Sequence, residues 1–440
     1  MRWRSVLPLV GNDLREIALS RATLFFGIAV GPLVGHAFAT AIAAYADASG
    51  AAGGAAALTQ GLSPLDGIVV PTLGAYAIAA TLLLPFVALS IVAREKESGA
   101  HTLLAQAPVP LWAQCIIKVK TLSLIWVLSW TPGIVALVLW HNAGGHLDAS
   151  ETLGVFAGHL LHGVLVVSLG VAAAAVTESA GSAAVLALAV TLGGWALEFA
   201  GQVQGGLVAR LAAFAPDAVL RGAEHGELSA SVVVVTIVGI FALLGLAVVW
   251  LEPARARYGG VIQSAVALGL AAVLALGAST VRASWDLTED RRNSFDRADA
   301  AALATIQYPL TVTVHLAPED PRYADLERGV LRKLRHTMHD VRVNVVSRTG
   351  TGLFERDSSY GEVWYDVRGR RGVSRSTTVP IVLETVYGLA GVTPPSAHGD
   401  SAYPGYPQRV PPSSGALFFY IIWPLAVALV WWGNRRRRSP

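Results

Sequence analysis

Eight long apolar runs, separated by polar stretches, constrain this 440-residue chain more than any other feature. They lie near residues 24–45, 69–93, 121–140, 153–176, 182–203, 231–251, 260–281 and 416–433. A helix needs about 20 apolar residues to cross a hydrocarbon layer about 30 Å thick. Inside lipid every backbone N–H and C=O must be satisfied, and a helix does that within one segment. The expected fold is therefore a polytopic α-helical membrane protein with about eight transmembrane helices. Charged residues make up 14% of the chain, against about 25% in soluble domains. The run at 182–203 is the weakest, because Gly193, Gly194, Glu198 and Gly201 dilute it, which leaves room for a kink or a partial span there.

The charges give an orientation. With the N-terminus inside, the short inner loops hold Arg2, Arg4, Arg15 and Arg21, then Arg94, Lys96, Lys118 and Lys120, then Arg255 and Arg257, then Arg435–Arg438. The short outer loops hold only Arg210 and Arg221. That bias follows the positive-inside rule and puts both termini in the cytoplasm. The Met1–Val10 segment has too short an apolar part for a cleavable signal peptide. The single cysteine, Cys115, excludes a disulfide framework within the chain.

Residues 282–415 break the apolar pattern and hold about half of the Lys and Arg. By parity this segment is extracytoplasmic, since long domains cross largely regardless of charge. Leu310–Leu316 alternates like a strand, Asp325–His339 carries helical spacing, and Val341–Val346 alternates again. These predict a β-α-β unit with parallel strands. Glu362–Val367 and Val373–Thr378 read as a strand pair around a turn at 368–372, and 393–414 as a Pro/Gly/Ser-rich linker. The expected fold is thus helical, with an α/β extracytoplasmic domain inserted between helices seven and eight. The expected domains are an interfacial helix over 1–23, a six-helix unit over 24–251, a loop and seventh helix over 252–281, the outer domain and linker over 282–415, and an eighth helix with a basic tail over 416–440.

The loop Arg94-Glu-Lys-Glu-Ser-Gly-Ala-His-Thr-Leu-Leu104 stands out because a charged segment between two spans must face water. Pro108 and Pro110 stop any helix begun there, so a short helix is expected near 95–106. An ordinary positive-inside loop explains the composition equally well. Trp112, Lys118 and Lys120 read as anchors for the next span.

This loop, with its proline and basic continuation, resembles the ABC-2 type transporter permease family. The family's Glu-rich segment follows its second span and ends in a Gly-Thr-Leu-Glu-X-Leu-Leu pattern; here Ala100-His101 intervene after Gly99. Asp13-Leu-Arg-Glu16 is similar to the family's amphipathic helix before span one. Phe214–Glu227 resembles its outer segment before the last span, with an Arg221-Gly222 pair. The likeness covers about residues 10–250. Asp286-Leu-Thr-Glu-Asp-Arg-Arg-Asn-Ser-Phe295 resembles the start of the auxiliary component of gliding-motility-type ABC transporters, followed by a similar Pro309–Leu316 pattern.

The resemblance implies a permease subunit of the bacterial cytoplasmic (inner) membrane, exporting a substrate or doing envelope-associated work. It implies ATPase coupling at Arg94, Glu95, Glu97, Ser98, Gly99 and Leu103, and an outer re-entrant segment at Phe214, Pro216, Arg221 and Gly222. A homodimer, or a heterodimer with a related permease, would work with separate ABC ATPase subunits. No Gly-x-x-x-x-Gly-Lys-Ser/Thr phosphate loop occurs, so this chain is not expected to be an enzyme or to carry a cofactor. ATP and Mg belong to the partner ATPase on this reading. The basic tail is expected to meet anionic lipid, and no nucleic acid is expected. The alternative is a non-transporting membrane scaffold or sensor with an envelope-binding outer domain. A third reading, an intramembrane metalloenzyme, rests on His159 and His162 at i and i+3, with His36 and Glu198. His159 and His162 are weak metal candidates, and helix packing explains their spacing as well.

Overall fold

A computed structural model of the chain describes residues 3–50, 62–204, 206–253, 255–317, 320–346, 359–395, 403, 405–408 and 413–436. The fold is mostly helical. Helix α1 (Trp3–Leu19) precedes α2 (Arg21–Ala48). A π-helical turn at Leu65–Val69 leads into α3 (Val70–Leu82), α4 (Leu84–Glu97) and the short α5 (Ala100–Ala105). Next come α6 (Leu111–Leu128), α7 (Thr131–Asn142), α8 (Ala149–Val176), α9 (Ala180–Gln204), α10 (Gly206–Ala212) and α11 (Ala218–Glu224). Strand β1 (Glu227–Ser229) precedes α12 (Ala230–Leu251) and α13 (Arg257–Ala278). Among the described residues, seven helical stretches are long and apolar enough to cross a membrane: Arg21–Ala48, Leu65–Glu97, Leu111–Asn142, Ala149–Val176, Ala180–Gly201, Ala230–Leu251 and Arg257–Ala278.

The eighth expected segment is also helical, as a π-helical turn at Phe418–Ile422 and α18 (Trp423–Arg436). It falls outside the seven because the described helix soon runs into Asn434, Arg435 and Arg436. It is nevertheless seated on α2. Gly27, Gly31 and Gly35 form a groove filled by Val427, Trp423 and Phe419, the close approach that small residues at four-residue spacing allow between apolar helices. Trp423 Nε1 donates to the Gly27 carbonyl at 2.7 Å.

Helix α8 is the most buried of the spanning segments. Its glycines let neighbours close in: Gly158 faces Ala223, Gly163 faces the Trp126 indole and Gly170 faces Ala88. Tyr76 meets Trp126 edge-on, with centroids 5.8 Å apart, and its hydroxyl donates to the Ser129 carbonyl at 3.0 Å. The run at 182–203 lies within one continuous helix, α9. Gly194 there is a packing site, because a Cβ would meet Pro216 Cδ at 2.6 Å.

Three sequence-based boundaries shift. The helix expected over 1–23 ends at Leu19. Ser20 is extended and its hydroxyl accepts from Thr23 N at 3.0 Å, which starts α2. The helix expected near 95–106 is split, because Gly99 adopts a left-handed conformation (φ +72°) between α4 and α5. Lys118 is no interfacial anchor: α6 begins at Leu111, which carries Lys118 into the protein interior, while Lys120 stays exposed.

The second apolar core belongs to the segment after α13. Strand β2 (Ser284–Asp286) is followed by α14 (Arg297–Ala304), β3 (Leu310–Val314), α15 (Pro321–Leu326), a π-helical turn at Glu327–Leu331, α16 (Arg332–Thr337) and β4 (Val341–Val345). Strands β5 (Val363–Val367), β6 (Arg370–Ser374) and helix α17 (Val379–Ala390) complete it. The four-stranded sheet runs β4-β3-β5-β6. The β3–β4 pair is parallel, as the β-α-β reading expects, with Leu310 opposite Val341. The hairpin turn is tighter than expected. Arg368 (φ 56°) and Gly369 (φ 77°) alone make it, so β6 starts at Arg370 rather than Val373. Two positive φ values are what a two-residue hairpin requires.

Helix α17 was not anticipated from the sequence. Parts of the expected linker fall outside the described residues, but its described portion is strapped down. Tyr406 N donates to the Leu62 carbonyl at 3.0 Å, Tyr45 Oη donates to the Tyr406 carbonyl at 2.8 Å, and His146 stacks on the Tyr406 ring at 3.6 Å.

Candidate functional site

The expected coupling residues divide into a buried anchor and an exposed tip. Glu95 is buried and pairs closely with Lys118, which lies 3.9 Å from Asp13. Three elements, α1, α4 and α6, thus meet at one interior cation. Burial pushes the Asp13 carboxyl above its usual range, and Lys118 offsets part of that rise. Lys96, next in sequence, points elsewhere. Its Nζ donates to the carbonyls of Ala174 (3.1 Å), Ala175 (2.9 Å) and Thr177 (2.5 Å). These sit at the C-terminal end of α8, where orphan carbonyls and the helix dipole favour a cation.

Arg94, Glu97 and Ser98 are exposed and Gly99 is half-buried. Helix α5 contributes no buried residue, and Leu103 on it is 70% exposed. Yet the segment is pinned. Gln114 Nε2, on buried α6, donates to the carbonyls of Leu104 and Val109, each at 2.8 Å. The result is an apolar tip on a rigid base, attached to α1, α4, α6 and α8 at once. The sequence pointed to this loop. The interior partners Asp13 and Lys118 were missed, although a lysine seven residues inside a mostly apolar helix was the available signal.

The second expected site lies at the opposite end of these helices. Residues 206–224 form α10 and α11 with a turn between. Arg221 pairs closely with Glu198 of α9 and lies 3.2 Å from Asp217. Pro216 packs on Gly194, and its carbonyl lies 3.0 Å from His162 Nδ1. Gly222 allows close approach of the Glu227 carbonyl, 3.0 Å from where a Cβ would sit. Phe214 is exposed. So Pro216 and Arg221 are knit to α8 and α9, and Gly222 lies against β1. Burial pushes Glu224 up to about 7, against the opposing pull of Arg221.

His159 and His162 are both buried in α8. His159 lies edge-on to Tyr76 with centroids 6.1 Å apart. His36 is exposed on α2 and Glu198 is engaged by Arg221. Among the described residues no group of three or more His, Cys, Asp or Glu is placed to hold a metal ion.

The sheet segment after α13 is joined to this same end. β1 and β2 pair antiparallel, with Glu227 opposite Asp286. Arg292 pairs closely with Asp66 and lies 3.0 Å from Asp290. Glu289 N donates to Glu151 Oε1 at 2.8 Å, and Arg332 lies 3.3 Å from Glu227. The Asp286–Phe295 motif is therefore the joint between sheet and helices. A cavity of about 980 Å³ opens beside it, lined by Glu289, Arg292, Asp299, Tyr387, Tyr403 and Tyr406 among others.

No family model, curated protein or solved structure matches this chain.

Proposed function

We propose that the chain is the membrane-spanning permease subunit of an ABC-type transporter, driven by a separate ATPase that binds ATP and Mg. One observation carries the reading. Helix α5 is an exposed apolar tip whose base is fixed to α1, α4, α6 and α8. A partner that moved this tip would move four helices, which is what a coupling element must do. The parity and charge of the loops support eight spans, both termini in the cytoplasm of a bacterial inner membrane, and residues 282–415 outside. The chain then works as a homodimer, or with a related permease, with Glu97 and Leu103 facing the ATPase and Glu95 acting from within as a positioning residue.

The test is purification of the tagged full-length chain in mild detergent, followed by nucleotide hydrolysis in the eluate and in reconstituted vesicles. Glu97→Lys is expected to abolish stimulation of the associated ATPase while membrane insertion is kept. A full-length preparation without an associated ATPase would sink the proposal. The scaffold or sensor reading has its own support in the cavity beside Arg292, where a ligand would touch both the sheet segment and residues tied to the helices. An envelope protein recovered in place of the ATPase would favour it.

A further inference from the structure

Away from the coupling tip, a cavity of about 640 Å³ opens where α1, α2, α4 and α18 meet. Its lining includes Arg21, Arg94 and Arg435, one each from α2, α4 and α18, with Trp431 beside them. That volume lies within the range of small-ligand sites, about 300–1,000 Å³. All three arginines are exposed, and among the described residues none of them is in an ion pair. Three unneutralised guanidiniums from three helices repel one another unless an anion sits between them. Ser20, Ala22 and Ser90 keep the wall small and leave room for one. Trp431 is fixed, since its Nε1 donates to the Leu19 carbonyl at 3.1 Å, and Arg435 lies over its ring at 5.1 Å.

The surface leading away from the arginines is apolar. Phe25, one turn beyond Arg21 on α2, is 69% exposed, and Phe86, one turn before Ser90 on α4, is also exposed. Residues four apart share a helix face. Helices α2 and α4 run in opposite directions from this cavity, so both phenylalanines lie on its membrane side. A polar, trivalent cationic head and an apolar track below it match one kind of molecule.

We propose that Arg21, Arg94 and Arg435 hold the phosphate of an anionic phospholipid, with an acyl chain laid along Phe25 and Phe86. Guanidinium groups bind phosphate by paired hydrogen bonds, and tryptophan beside them suits the bilayer interface. The assignment needs only that these helices lie in a bilayer and does not rest on the transporter reading. Because Arg94 directly precedes Glu95, an occupied site would steady the base of the 94–106 segment.

Native mass spectrometry of the full-length protein in mild detergent tests this, with dioleoylphosphatidylglycerol and dioleoylphosphatidylcholine added in turn. Wild type is expected to retain phosphatidylglycerol in preference to phosphatidylcholine. Each of Arg21→Gln and Arg94→Gln should lower that retention about fivefold, the factor for one basic contact at a membrane surface. Arg257→Gln is the control, since Arg257 is exposed and already lies 2.7 Å from Glu178. Arg21→Lys and Arg94→Lys keep the charge but lose the paired hydrogen bonds, and should retain lipid between wild type and the Gln variants. Equal retention of the two lipids by wild type would overturn the proposal, as would unchanged retention in the Arg21→Gln/Arg94→Gln double variant. Inorganic phosphate is added in a separate arm to protein already carrying phosphatidylglycerol. If it displaced phosphatidylglycerol at millimolar concentration, the site would belong to a soluble phosphoryl group and the lipid assignment would fall.

Discussion

Trp423 occupies the space that a side chain on Gly31 would need: a Cβ there would lie 2.3 Å from Trp423 Cδ1. The contact carries α18 on α2, with Gly27 against Val427 and Gly35 against Phe419 on either side. Gly31→Leu is expected to destabilise the protein by about 1–3 kcal/mol through overpacking. A fall in the detergent melting temperature would show it. Gly245→Leu on α12, where a Cβ would meet nothing within 4 Å, should leave the melting temperature nearly unchanged.

Lys118 faces two buried carboxylates, so its removal should be costly. Lys118→Met leaves Asp13 and Glu95 without their cation, and breaking a buried pair in this way costs about 3–5 kcal/mol. Lys118→Met/Glu95→Leu should recover part of that loss, because Glu95 is then neutral and only Asp13 is left without the lysine. The pH dependence has a definite sign. Burial already raises Asp13, and losing the lysine raises it further, so the folded variant holds its proton over a wider range. The destabilisation of Lys118→Met is therefore smaller in acid and grows as pH rises. Melting curves of both variants across pH would reveal an equal loss at every pH if the cluster were inert.

Much of this architecture was legible because period and length survive in a sequence. Apolar runs of span length gave the membrane helices, and the alternation at Leu310–Val314 and Val341–Val345 gave the parallel pair. What escaped depends on three-dimensional partners. Nothing local in Lys118 says that Asp13, 105 residues earlier, and Glu95 converge on it. Gly27, Gly31 and Gly35 did carry a readable small-residue spacing, but not the identity of the helix that fills it. The split at Gly99 was hidden because glycine is compatible with helix and with turn alike. Tyr406 read as linker because its Pro/Gly-rich surroundings outweigh one aromatic ring, although that ring stacks on His146.

Leu103 tests the proposed coupling element with little structural side effect. It is 70% exposed, so Leu103→Asp should change stability by no more than about 0.5 kcal/mol. If the tip seats in an ATPase, burying a carboxylate there should weaken the complex by about 2 kcal/mol or more, the range of a buried anchor at an interface. That is roughly a 30-fold rise in Kd. Titration of the ATPase against wild-type and variant protein in nanodiscs reads this directly. An unchanged Kd would move the contact off α5.

Glu224 gives the Arg221 segment a pH dependence of its own. Its carboxyl is raised from 4.5 to about 7 by burial, with Arg221 opposing and Asp217 adding to the rise. A raised acid binds more protons in the folded state than in the unfolded one. Its contribution is fully present below pH about 4.5 and is lost as pH rises through about 7. Glu224→Gln fixes the neutral form. It should flatten the stability profile between those limits, leaving wild type and variant similar near pH 4.5 and the variant more stable at pH 8. Hydrogen exchange at α11 in detergent localises the effect. The same slope in both proteins would place the titrating group elsewhere, with Glu198, beside Arg221, the next carboxylate to replace.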